Sequence, residues 1–211
     1  MKSMIKDTLI LLLITVIAGG VLGLVYQVTK EPIAKAQEKK TQEAYKAAFP
    51  EADFFEEDGD FSESEAEKVI KENYPNTTIE TSMYAFDADQ NVLGYVIKVL
   101  SKEGYSGNIS FLVGFKLDGT INAVALLDIK ESAGLGMNAE AVLIPQYKGK
   151  QITFFEVTKT GATKESQIDA ISGATITTDA INNGINAAVS YFNLMYSSQV
   201  VAPEGGHTHE E

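Results

Sequence analysis

"NISFLVGFKLDGTINAVALLDI", residues 108–129, carries the pattern on which the fold turns. Ile109, Phe111, Val113, Phe115 and Leu117 alternate with other residues, Asp118-Gly119 supplies a turn, and residues 121–129 return as a second apolar strand. Alternation broken by Asp-Gly is a β-hairpin signal, because glycine accepts the positive φ that tight hairpin turns require. Just upstream, "SMYAFDA" (82–88) and "NVLGYVIKVL" (91–100) are two further strands separated by Asp89-Gln90. Downstream, Ile181, Ile185, Ala188, Val189, Phe192 and Met195 share one side of a helix at 3.6-residue spacing. With no internal repeat and with helices at both ends, the expected head is an α+β domain, an antiparallel sheet with flanking helices.

Ahead of that head, Thr8 to Thr29 hold 22 residues without a charge. As a helix they extend roughly 33 Å, enough to cross a bilayer. Lys2 and Lys6 precede the span, whereas Lys30 beyond it is countered by Glu31, so the expected N-terminus is cytoplasmic and the bulk lies outside. A cleaved signal peptide ending near Ala34-Lys35-Ala36 is the alternative, but the apolar run exceeds an ordinary signal core. Gly19 and Gly23 form a small-xxx-small face suited to packing against another helix, or are simply tolerated in lipid. After Pro32 helix formers continue to Pro50. The expected organisation is therefore residues 1–30 as cytoplasmic start and transmembrane anchor, 31–50 as helical stalk, 51–198 as domain, and 199–211 as a disordered polar tail bearing His207 and His209.

The 211 residues include no cysteine, which excludes disulfides, thiolate metal sites and cysteine nucleophiles, so redox chemistry here needs an organic cofactor. A net charge of -12, with every basic residue a lysine, argues against nucleic-acid partners and leaves no guanidinium for a phosphate site. Nine acidic residues and no basic one lie between Glu51 and Glu67, expected to be a solvated surface rather than a cation site. No catalytic residue and no metal site is assigned.

Residues 169–181, "DAISGATITTDAI", crowd hydroxyls and carboxylates around Gly173-Ala174 just before the long helix. Thr177 or Thr178 is expected to N-cap that helix, with Asp179 in its first turn. Glycine permits close backbone approach, and helix N-termini bind phosphate through free amides, so an arginine-free phosphate site is plausible here. Asp169-Ala-Ile-Ser172-Gly173-Ala174-Thr175 resembles the covalent flavinylation motif Asp-x-x-Ser/Thr-Gly-Ala-Thr, whose last threonine takes FMN through a phosphoester bond. A second Thr-Gly-Ala-Thr at 160–163 has Val157 where the motif has aspartate and is followed by Lys164-Glu165, so the full motif selects Thr175 over Thr163.

The stretch from Gly104 to Gly136 is similar to the Gly-Tyr-x-Gly strand pair and the Glu-Thr-Pro-Gly-Leu-Gly loop of FMN-binding domains in the G subunit of Rnf electron-transport complexes, related to the C subunit of the sodium-pumping NADH:quinone reductase. The resemblance covers nearly the whole chain, including the anchor. It implies cofactor contacts from Tyr105, Glu131, Ser132, Gly134, Leu135, Ser172, Gly173, Ala174 and Thr178, with covalent FMN on Thr175. It also implies a flavin transferase that uses FAD with a divalent metal and recognises Asp169. It implies a single-pass subunit of a membrane complex that moves electrons between ferredoxin and NAD, couples them to sodium or proton translocation, and is not a complete enzyme alone. Two departures stand out: the loop at 131–136 lacks the family's proline, and Ile129 replaces a frequent histidine. The rival readings are a stand-alone extracytoplasmic flavoprotein and a flavin-free pilin-like or adaptor protein.

Overall fold

The structure, a computed structural model, describes residues 2–196. The expected tail at 199–211, with His207 and His209, lies outside the described residues. The chain divides into two compact units, residues 1–42 and residues 43 onward.

Helix α1 (Lys2–Ala48) is one run of 47 residues, about 70 Å long at about 1.5 Å per residue. Its N-terminal part is long and apolar enough to cross a membrane, with mean hydropathy 2.7. Pro32 lies inside it, so the helix does not begin afresh there as the sequence suggests. An interior proline costs one amide hydrogen bond, which the long flanking helix absorbs here. The expected stalk boundary at residue 50 also moves. Ala44, Tyr45, Ala48 and Phe49 are buried in the head, because they put apolar side chains on one side of the last turns.

The head is built on a five-stranded antiparallel meander: β1 (Phe54–Glu57), β2 (Thr77–Phe86), β3 (Val92–Ser101), β4 (Ile109–Lys116) and β5 (Ile121–Asp128). Phe111 pairs with Leu126 and Val113 with Val124, so the opening stretch of sequence is the predicted hairpin. Leu117 leaves the strand and is 42% exposed, because the turn occupies residues 117–120, with Gly119 at φ +85°. The sheet is covered on both faces, which is why β4 is apolar almost throughout. Phe111, Val113 and Phe115 pack with Ile97, Val99 and helix α4 (Thr175–Met195) on one side. Leu112, Val96, Ala125 and Leu127 meet Ala48 and Phe49 on the other. A β-carbon on Gly114 would lie 2.2 Å from the Ala48 carbonyl oxygen, so the last turn of α1 sits directly on the sheet backbone.

Helix α2 (Glu63–Ile70) packs beside α4 through Ala66 and Ile70. The acidic segment around it is not wholly solvated: Asp58 is buried, accepting hydrogen bonds from the Tyr196 hydroxyl and the Asp60 amide. The Ser82 hydroxyl donates to the same Tyr196 oxygen at 2.8 Å, which ties the far end of α4 to the sheet. After β5 come short helical turns, including α3 (Ala139–Val142), and a parallel pair, β6 (Glu156–Thr158) and β7 (Gln167–Asp169). Asn182 and Asn186 of α4 hold this region by donating to the Phe155 carbonyl at 3.0 and 2.9 Å.

Candidate functional site

α4 begins earlier than its sequence suggests. Ala174 occupies the cap position and Thr175 is the first helical residue. The preceding turn closes through Ala174 N–H to the Ile171 carbonyl at 3.0 Å. Gly173 adopts φ +74°, a conformation that side chains with a β-carbon resist. Neither Thr177 nor Thr178 is therefore the cap, and Asp179 lies beyond the first turn. Thr178 is buried instead. Its hydroxyl donates to the Ala174 carbonyl at 2.9 Å and accepts from the Ile171 amide at 3.1 Å, locking the turn from behind.

A cleft of about 430 Å³ opens at this end of α4. Tyr105, Glu131, Ser132, Leu135 and Gly136 form one wall, and residues 173–177 form the other. Most of the residues expected from sequence thus converge, although they come from three separate segments. Ser172, Gly134 and Thr178 do not line the cleft: Ser172 is exposed on the turn, Gly134 supplies a positive φ of 76° in the loop, and Thr178 lies behind. Gly136, Ile176 and Thr177 are lining residues that sequence reasoning missed. The helix periodicity hides Ile176 among hydroxyls, and Thr177 looks like a cap.

Glu131 holds the two walls together. One carboxylate oxygen accepts from the Thr177 hydroxyl at 3.1 Å, and the other accepts from the Ser106 amide at 3.2 Å. Gly136 permits this closeness, since a β-carbon there would come within 2.7 Å of both Glu131 Cβ and Thr177 Oγ1. Asp169 is outside the cleft; its carboxylate accepts from the Ala162 amide at 2.6 Å. Thr163, on the exposed crossover between β6 and β7, is hydrogen-bonded to Gln167.

The chemistry of the donors suits a phosphorylated aromatic ligand. The first hydrogen bond from an amide into α4 is Thr178 N–H to the Ala174 carbonyl, so the amides of residues 175–177 precede the helical ladder and mark an anion-binding end. Thr175 itself lines the same cleft. Tyr105, Leu135 and Ile176 are 67%, 42% and 52% exposed, presenting apolar surface for a ring system. Only 3.1 Å would separate a β-carbon at Gly173 from Leu135 Cδ2, so the glycine keeps the cleft open between its walls. The free amides and the apolar surface together fit the two parts of FMN, a phosphate and a ring system.

Two family models match the chain: the FMN-binding domain at residues 104–190, and the RnfG N-terminal region at residues 1–47. The first spans both walls of the cleft. The G subunit of the Na(+)-translocating ferredoxin:NAD(+) oxidoreductase complex of Acetobacterium woodii is 31% identical over 199 residues, covering 92% of this chain and 94% of that protein. The chain belongs to the RnfG family. Another relative, the G subunit of the ion-translocating oxidoreductase complex of Methanosarcina acetivorans, is 29% identical over 90% of this chain and 95% of its own length. The crystal structure of Shewanella oneidensis NqrC has the same fold, with a TM-score of 0.54 at 18% identity over 79% of this chain and 98% of that one. The match to the FMN-binding domain thus takes in β4, β5, the 131–136 loop and α4 as far as residue 190, while β1, β2 and β3 precede it.

Proposed function

We propose that this chain is a membrane-anchored electron relay that carries FMN as a phosphoester on Thr175 and works with the other subunits of an Rnf-type complex. The observation that carries this reading is that Thr175, the first residue of α4, lines the cleft. Bound FMN supplies one- and two-electron redox chemistry. The protein's residues set the position and surroundings of that group. Amides at the start of α4 would hold the phosphate, Gly173 and Ala174 would allow close approach, Tyr105 and Leu135 would shield the ring from water, and Glu131 keeps the walls at fixed separation. Ser132, Gly134, Ser172 and Thr178 shape the two segments that do so.

Attachment requires a partner. A threonine hydroxyl is a weak nucleophile without a base, and the chain's two histidines, His207 and His209, belong to the C-terminal tail. A separate flavin transferase therefore loads the protein from FAD. Thr175 Oγ1 loses its proton and forms a bond to the FMN phosphorus, while the pyrophosphate bond of FAD breaks and AMP leaves. The anchor is single-pass, with Met1 in the cytoplasm and the flavin domain on the extracytoplasmic side, in keeping with Lys2 and Lys6 ahead of the span. Electron flow between ferredoxin and NAD, coupled to sodium or proton movement, belongs to the assembled complex.

Co-expression with the transferase tests the assignment. The full chain is expected to show flavin fluorescence after denaturing electrophoresis and a mass increase of one FMN less a water. Thr175→Ala abolishes both signals and Thr163→Ala keeps them. An unmodified wild-type protein under those conditions refutes the proposal.

A further inference from the structure

The hydrogen-bonding groups of Asp169 are largely committed within the protein. Its amide donates to Gln146 Oε1 at 2.8 Å, its carbonyl accepts from Gln146 Nε2 at 3.1 Å, and Oδ1 accepts from the Ala162 amide. Two residues earlier on β7, Gln167 Oε1 accepts from both the amide and the hydroxyl of Thr163, at 3.0 and 3.1 Å. Residues 167 and 169 project from the same side of the strand. Together they hold the Gly161-Ala162-Thr163 turn at two adjacent points, folding the crossover back onto the segment that leads to Thr175.

That turn, rather than the half-buried Asp169, is what the surface offers. Every residue from Lys159 to Glu165 is exposed. The crossover also borders the start of α4 electrostatically. Partial desolvation pushes the Asp179 carboxyl up, Lys159 pulls it back down and Glu103 adds a smaller upward push, and Asp179 stands one turn beyond Thr175. Lys159 and Lys164 against the single acid Glu165 leave this run with a net positive charge on a chain of net charge -12, which favours an anionic partner such as the pyrophosphate of an incoming dinucleotide.

We infer that Asp169 promotes modification of Thr175 as a positioning residue: its carboxylate fixes the 161–163 turn, and that turn is the surface on which the flavin transferase docks. This deepens the proposed function and rests on flavinylation of Thr175. Asparagine at 169 still offers an oxygen to the Ala162 amide, alanine does not, and proline at 162 removes the donor while leaving the carboxylate in place.

Initial rates of FMN transfer to the full-length chain, with transferase, FAD and Mg²⁺, separate the alternatives. Asp169→Asn is expected to stay within about threefold of wild type, because the acceptor is kept though its charge is lost. Asp169→Ala and Ala162→Pro are expected to lose about tenfold, the scale of one charge-assisted hydrogen bond. The loss falls on the KM for the protein substrate with kcat unchanged; because partial unfolding of the substrate raises KM in the same way, the folded fraction of each variant is measured by denaturant titration and KM is compared per folded protein. Gln167→Ala, which frees the other side of the turn, gives the same KM effect and guards against misfolding of the proline variant. Loss of transfer in Asp169→Asn, with Ala162→Pro and Gln167→Ala behaving as wild type, means that the enzyme senses the carboxylate directly and overturns the inference. Absence of flavin from the wild type removes the proposed function itself, and this inference with it.

Discussion

Residues 160–163 and 172–175 share a hydroxyl-Gly-Ala-Thr order and a glycine of positive φ, +94° at Gly161 and +74° at Gly173, yet they occupy different settings. The first is an exposed turn in a crossover, satisfied by Gln167 and Asp169. The second ends at the N-terminus of a 21-residue helix, where Thr175 lines a cleft whose opposite wall comes from residues 105 and 131–136. A tetrapeptide supplies local conformation, whereas a ligand site needs a helix end and a second wall brought by the tertiary fold.

Transplanting the missing motif residue is the strongest way to break this contrast. Val157→Asp combined with Thr175→Ala restores the spacing of aspartate to threonine at Thr163 without supplying a helix end or a cleft. No flavin is expected on Thr163 in peptide mass mapping, and a modified Thr163 would show that sequence alone suffices. Gly136→Ala attacks the second wall, since its β-carbon meets both Glu131 and Thr177. It is expected to cost about 1–3 kcal/mol of stability in denaturant titration, as overpacking does, and to lower flavin loading as well. Tyr196→Phe acts at the opposite end of α4, removing the hydroxyl that reaches Asp58 and Ser82. It is expected to cost about 1–2 kcal/mol, the worth of lost buried hydrogen bonds, while flavin loading by in-gel fluorescence stays unchanged. A fall in loading would show that the two ends of the helix are coupled.

Much of this arrangement is legible from residue patterns. The hairpin around Asp118-Gly119 and the apolar stripe from Ile181 to Met195 show a period directly, and both appear in the structure. The start of α4 is harder to place, because capping propensity favours Thr177 or Thr178, whereas the tight turn closed by Ile171 and Gly173 starts the helix at Thr175. Asn182 and Asn186 carry no signal of burial, because their value lies in meeting one carbonyl, that of Phe155, from a distant segment. The same is true of Glu131, whose partners at residues 106 and 177 are adjacent only after the sheet has formed. Strands of three residues such as β6 and β7 are too short to display any period.

The packing of Ala44, Tyr45, Ala48 and Phe49 against the sheet bears on how this protein can be cut. A soluble fragment begun at Glu51, on the assumption that everything before Pro50 is mere tether, would leave Val96, Leu112 and Leu127 facing water. Excision of the lipid-spanning part preserves the head only when the scissors fall before Glu43, since the closing turns of that helix double as a lid on the β-sheet.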